Sequence, residues 1–362
     1  MLSQTHRPFT AYCIYESLVK AAGMTRGEIM DTGISDQISY LDSVMQREGI
    51  DKCISAFADV YRKKGTGAIA LLNDRRLTFS CFYILLPRIR ELGISGILNS
   101  RNTVALRIVN QIISGKKALA GADYLSAKRN RVYSVLKWIL ETGAPMDGYD
   151  DDYKNIMDVT ASVLIFTYKD RSVIPQAVNM IFSRKKAGHN IHDLVWALFR
   201  SEDPQVLRLI AERLKSPDKE EVELACELLN IEDKGIDSMN AGEREARYAA
   251  YIKWLEENDP FLYFTEEGYQ FESKPVFCAV DMERKYLNKN MANRKKQPLF
   301  PADENESSCI QAFKALSDND RELLARYSRR MHEKNEREWE NWIRSPVDEQ
   351  LRRAKREGEL LQ

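Results

Sequence analysis

The residues able to do chemistry are few and scattered along the chain. Gly65-Thr66-Gly67-Ala68-Ile69-Ala70 has the GxGxxA spacing. After a strand, that spacing sets a dinucleotide phosphate against a helix N-terminus. Here the preceding segment reads as helix, so a plain interhelical turn is expected. His189 and His192 lie three apart, with Asp193 adjoining, and that spacing can put two metal ligands on one helix face. No third ligand follows at a metal-site interval, and His189 falls before a helix that Asn190 would cap. Asp150-Asp151-Asp152 lacks the alternating acids and later glutamate of a calcium loop. It reads as a solvated acidic loop or a negative patch for a partner. There is no GxSxG, HExxH or P-loop. The sequence therefore predicts no catalytic residue, no cofactor and no metal, and its balance is against an enzyme. A motif-free active site stays open.

Two further groups point to binding. Arg284, Lys285, Lys289, Arg294, Lys295 and Lys296 make the most basic stretch, with Tyr286 among them. It could contact nucleic-acid phosphates, or serve as a soluble linker. Trp339 and Trp342 stand three apart among many charges, so they share one helix face. Large aromatics are natural interface anchors, and these two are the best candidate for protein binding.

These groups must be positioned by helices. The chain of 362 residues is poor in Gly and Pro, with 44% apolar residues, a helical composition with enough material for a sizeable core. Charged residues make up 30%, and 54 Lys+Arg balance 54 Asp+Glu. Zero net charge argues against a general polyanion binder without excluding a local basic groove. Six cysteines show no CxxC spacing, and the N-terminus lacks an apolar signal region. A reducing, cytoplasmic setting with no membrane span is expected.

The clearest organisation lies between Ser172 and Ile231. Pro175-Gln176-Ala177-Val178-Asn179-Met180-Ile181 recurs after 29 residues as Pro204-Gln205-Val206-Leu207-Arg208-Leu209-Ile210. A period near thirty made of two helices marks an α-solenoid, whose units bury their apolar faces only by stacking. Flanking segments read as helices too: one capped by Ser35-Asp36, one from Asp51, an apolar one over Leu77 to Leu92 that Pro87 should kink or end, one from Thr103, and one from Ile156 to Tyr168. Phe261 to Phe264 and Tyr269 to Phe271 read as a small β-hairpin, with a short helix to follow from Val276 to Leu287. Ser317 to Ile343 reads as one long charged helix, with a charged tail after Pro346.

Leu209 to Leu229, with an apolar helix, the Pro217-Asp218 turn and then Val222, Leu224, Ala225, Leu228 and Leu229, resembles a HEAT-type repeat. The resemblance covers about residues 172–231 and implies an all-α, HEAT-like helical-hairpin solenoid with a small β-hairpin insertion and a C-terminal helical arm. The expected divisions are an N-terminal helical region over 1–100, solenoid over 101–258, a mixed segment over 259–308 and the charged arm over 309–362. Counting the N-terminal helices as divergent repeats extends the solenoid back to about Ser35. The expected function is a non-enzymatic scaffold or adaptor that binds protein partners, in an oligomeric state the sequence does not fix. HEAT-like folds also cradle DNA, in some base-excision enzymes among others. The resemblance thus carries a second expectation, nucleic-acid binding through Lys116-Lys117, Lys128-Arg129-Arg131 and Arg184-Lys185-Lys186. That expectation falls if these groups face acidic neighbours.

Overall fold

The computed structural model describes residues 38–114, 129–289 and 304–359. The described chain is all-α apart from one two-stranded sheet. It divides into two compact units, Met1–Met180 and Ile181–Gln362. No helix among the described residues is long and apolar enough to cross a membrane. The Ser35-Asp36 cap lies outside the described residues.

The first unit opens with α1 (Tyr40–Glu48), capped by Ser39, whose hydroxyl accepts from the Asp42 amide. Gly49, at φ +90°, ends it. Helix α2 (Ile50–Lys64) buries Cys53 and Phe57 and closes on Arg62, Lys63 and Lys64, the charge a helix C-terminus favours. Gly65–Ala68 is a 3-10 turn after that helix and not a loop after a strand, so the dinucleotide geometry is not built.

Helix α3 (Phe79–Glu91) runs through Pro87 and ends one turn later. Proline was expected to kink or end it. It is tolerated because Pro87 sits on the exposed face, where a carbonyl deprived of its amide partner meets water. Helix α4 (Ser100–Ile113) begins three residues before the predicted Thr103, because Asn99 caps it. Helices α5 (Arg129–Gly143) and α6 (Asp151–Phe166) complete the unit. Asp150, predicted in a solvated loop, caps α6 by accepting from the Tyr153 amide at 2.6 Å and also receives the Tyr83 hydroxyl. Phe79, Trp138 and Tyr153 meet in the core with ring centroids 5.7 Å apart.

Gly143 shows how tight this core is. The Tyr153 hydroxyl donates to its carbonyl at 2.8 Å. A methyl built on Gly143 would stand 2.8 Å from the Tyr153 hydroxyl oxygen and 3.0 Å from both Met157 Sδ and Phe79 Cδ1. Gly143→Ala is therefore expected to destabilise the chain by about 1–3 kcal/mol through overpacking. Urea denaturation followed by circular dichroism checks it, and an unchanged midpoint would show that the rings move aside freely.

The unit boundary falls inside α7 (Ile174–Lys186). Consecutive helices then follow at the repeat positions: α8 (His192–Phe199), α9 (Gln205–Ala211) prolonged by a 3-10 turn over Glu212–Lys215, and α10 (Lys219–Leu229). Asp218 caps α10, as its Pro-Asp turn predicts. Helix α11 (Ala241–Asn258) starts with a reciprocal capping box between Asn240 and Glu243.

The sheet differs from the predicted hairpin. Strand β1 (Leu262–Phe264) pairs antiparallel with β2 (Cys278–Val280), with Leu262 opposite Val280 and Phe264 opposite Cys278. Tyr269 to Phe271 is not a strand, because Tyr269 is drawn away to other partners described below. Helix α12 (Met282–Tyr286) follows and is shorter than predicted.

The C-terminal segment is a small bundle of α13 (Glu304–Lys314), α14 (Asp318–Lys334), α15 (Glu336–Ile343) and α16 (Val347–Glu359). The predicted single helix from Ser317 to Ile343 is broken at Asn335, which leaves helical geometry (φ −160°, ψ 94°) and caps α15 by accepting from the Glu338 amide. The predicted charged tail is α16. Its apolar stripe closes on a core of Tyr286, Phe313, Leu324, Tyr327, Met331 and Trp342.

Candidate protein-docking surface

In the second unit, α8 sets up a surface. The expected Asn190 cap does not form: Ile191 stands at the cap position with no side-chain cap bond, and Asn190 accepts from the His192 amide at 2.8 Å just before the helix. Leu194, Val195, Ala197, Leu198 and Phe199 are buried, which leaves His192, Asp193, Trp196 and Arg200 along the other face. Arg200 lies over the Trp196 ring at 4.5 Å.

The 265–277 segment between β1 and β2 lies across this face. Its ends are closed by the Thr265 amide donating to the Phe277 carbonyl at 3.0 Å and the Val276 amide donating to the Glu267 carboxylate at 2.6 Å. Phe277 is buried and stacks on Phe199, centroids 4.3 Å apart and planes within 7°. Tyr269 stacks on His192 at 5.0 Å, and its hydroxyl donates to Glu227 of α10 at 2.6 Å. Gln270 donates to Asp193 at 3.4 Å. Gly268 comes so close that an added methyl would lie 3.1 Å from Trp196 Cδ1. After all this bracing, Phe271 points away, with 78% of its surface exposed.

Carboxylates outnumber bases on the 265–277 segment. Within 265–277, Glu266, Glu267 and Glu272 face a single base, Lys274. Among the described residues, Asp193, Glu266, Glu267 and Glu272 have no cationic partner, and Glu227 has Lys185 at 4.0 Å. Burial, reinforced by the Glu227 carboxylate, pushes the Tyr269 hydroxyl well above the usual phenol range, so it stays a donor.

The residues singled out from the sequence lie elsewhere. Trp342 is 3% exposed inside the C-terminal bundle. Trp339 packs against that core and donates through Nε1 to Ser328 at 2.7 Å, with His332 edge-on to its ring at 4.8 Å. The two tryptophans thus hold the arm together and do not form an exposed anchor.

Among the basic residues, Arg284 pairs with Asp281 at 3.6 Å, and Lys289 pairs with Glu306. Lys285 is buried and donates to Asn258 at 2.6 Å. Burial lowers its pKa. Arg294, Lys295 and Lys296 lie outside the described residues. So do Lys116, Lys117, Lys128 and the side chain of Arg129, while Arg131 is exposed on α5. Arg184 is buried, and Lys185 and Lys186 face Glu227 and Asp218 at 4.0 Å and 2.7 Å. The described basic groups near α7 and α12 are therefore occupied, which removes the ground for a phosphate-binding stripe there.

His189 and His192 acquire no further ligand, and no cluster of metal-ligating side chains occurs among the described residues. In the first unit a groove of about 580 Å³ is lined by Asp42, Met45, Ile50, Thr142, Met146 and Tyr149, among others. Asp42 at its base is held by Ser39 and Thr78, an arrangement that ties two helix starts together.

Phe271 was missed because Tyr269-Gln270-Phe271 alternates like a strand. The signal that could have found it is the density of glutamates around the two aromatics Tyr269 and Phe271. No protein-family profile, curated protein or solved structure matches the chain.

Proposed function

We propose that this chain is a non-enzymatic interaction scaffold that docks a partner protein on the 265–277 segment of its second unit. The observation that carries the reading is Phe271. A large aromatic side chain stands 78% exposed on a segment pinned by stacking and hydrogen bonds to α8 and α10. Pinning removes the ordering cost a loose loop would incur on binding, and a rigid aromatic is the usual anchor of an interface.

We read the helices beneath as a HEAT-like solenoid. Helix pairs at the two sequence copies, with Asp218 capping at the repeat's Pro-Asp turn, support this. We place the chain in the cytoplasm. Its described cysteines are free thiols, in keeping with a reducing compartment.

Burying the Phe271 ring on a partner supplies about 2 kcal/mol. Phe271→Ala is therefore expected to weaken the complex about thirtyfold, while thermal stability stays within a degree or two because the ring touches little of its own chain. Affinity capture of the intact protein from its native host, with and without nuclease, checks this. Retention of the same partner by both forms, or recovery that depends on nucleic acid, would sink the reading.

A further inference from the structure

The charges around Phe271 say what kind of partner fits. Asp193, Glu227 and Glu267 accept hydrogen bonds from neutral groups, namely the Gln270 amide, the Tyr269 hydroxyl and the Val276 backbone amide. Such bonds fix the carboxylates in place and leave their charge uncancelled. Glu266 and Glu272 are exposed and have no ion pair among the described residues. Elsewhere in the same unit, carboxylates of comparable exposure do find cations, as Asp218 finds Lys186 and Glu212 finds Lys215. The chain as a whole is neutral, so the excess of negative charge here is local.

We infer that the docking partner is a cationic, apolar-anchored polypeptide segment, which seats an apolar side chain on Phe271 and sets lysine or arginine beside Glu266, Glu267, Glu272 and Asp193. The inference rests on the interaction reading above and narrows it. Like charge repels acidic peptides, nucleic-acid phosphates and anionic lipid headgroups from this face. An apolar ring ringed by fixed carboxylates favours a basic amphipathic segment, whose own aliphatic stems add to the contact.

The test uses the intact protein and two labelled 16-residue peptides read by fluorescence anisotropy. One is a lysine/leucine amphipathic sequence. The other is the same sequence with every lysine replaced by glutamate. The lysine peptide is expected to bind. It should weaken about thirtyfold with Phe271→Ala and about tenfold with Glu266→Gln/Glu267→Gln/Glu272→Gln, since exposed pairs contribute little singly and add up. Raising the salt should weaken the wild type more than the triple variant.

If the glutamate peptide binds as well as the lysine peptide and both depend on Phe271, the charge inference is overturned and docking at Phe271 stands. If the lysine peptide binds but ignores Phe271→Ala, the docking reading itself falls. If neither peptide binds, the inference is overturned, and the interaction reading is decided by capture from the native host.

Discussion

Trp342→Ala is expected to lower stability by about 3–5 kcal/mol and to melt the C-terminal helices before the rest of the chain. The indole is 3% exposed. It meets Tyr327 at 5.3 Å and Tyr286 at 6.3 Å, both in edge geometry, and Tyr286 in turn stacks on Phe313 at 4.4 Å. Removing it opens a cavity in the core that α14, α15 and α16 share. Chemical denaturation with far-UV circular dichroism reads the change. A loss under 1 kcal/mol would mean that the bundle collapses onto the gap. Trp342→Phe should cost far less than the lost ring area suggests. The indole N–H is buried without a hydrogen-bond partner, so the phenyl ring removes an unpaired donor along with the apolar atoms. Trp339→Ala should fall between them, because it breaks the bond to Ser328, which itself donates to the Tyr286 carbonyl at 2.6 Å. A double tryptophan variant would therefore lose partners by unfolding its arm, whatever surface the partner uses. Phe271→Ala avoids that confusion, since its ring is not part of the core.

Helices were legible wherever a cap or an apolar period was strong. Ser317 starts α14, Asp218 starts α10, and the buried face of α6 follows its apolar run. What failed depended on contacts distant in sequence. Trp339 and Trp342 looked like interface residues because their immediate neighbours are charged. Their partners, Ser328, Tyr286 and Tyr327, come from other helices that no local pattern connects to them. The strand pairing failed for the same reason. Tyr269 alternates like a strand residue, yet it gains more from stacking on His192 and bonding Glu227, and β1 then pairs with Cys278–Val280. The basic stretch looked like a phosphate contact because its acids, Asp281 and Glu306, stand before and after it in the chain and pair only once it folds. Asn335 with Glu338 three residues on has the spacing of a helix start, a sign that the helical character of both flanks hid.

Asp42→Ala should cost about 3 kcal/mol from the loss of charged hydrogen bonds, with a pH signature that separates it from simple core loss. Its carboxylate is 0% exposed. It accepts from the Ser39 hydroxyl, the Thr78 hydroxyl and the Thr78 amide at 3.0 Å. Ser39 caps α1 and Thr78 caps α3, so one side chain joins two helix starts by reaching a cap 36 residues on from itself. Burial raises the Asp42 pKa above 3.8; the hydrogen bonds from Ser39 and Thr78 lower it less than burial raises it, and Asp74 adds to the rise. Arg101 and Cys81 also feel this charge. Since the folded value lies above the unfolded one, the folded chain holds a proton in that window that the unfolded chain has released. The contribution of Asp42 therefore falls as pH rises through the window and is flat above it. Asp42→Asn keeps the shape but cannot titrate. The stability gap between wild type and Asp42→Asn should thus shift in favour of wild type as pH drops from 7 toward 4, by urea denaturation at each pH. A gap that is constant with pH, or that moves toward Asn, would mean the carboxylate is held by its donors more strongly than burial disfavours it.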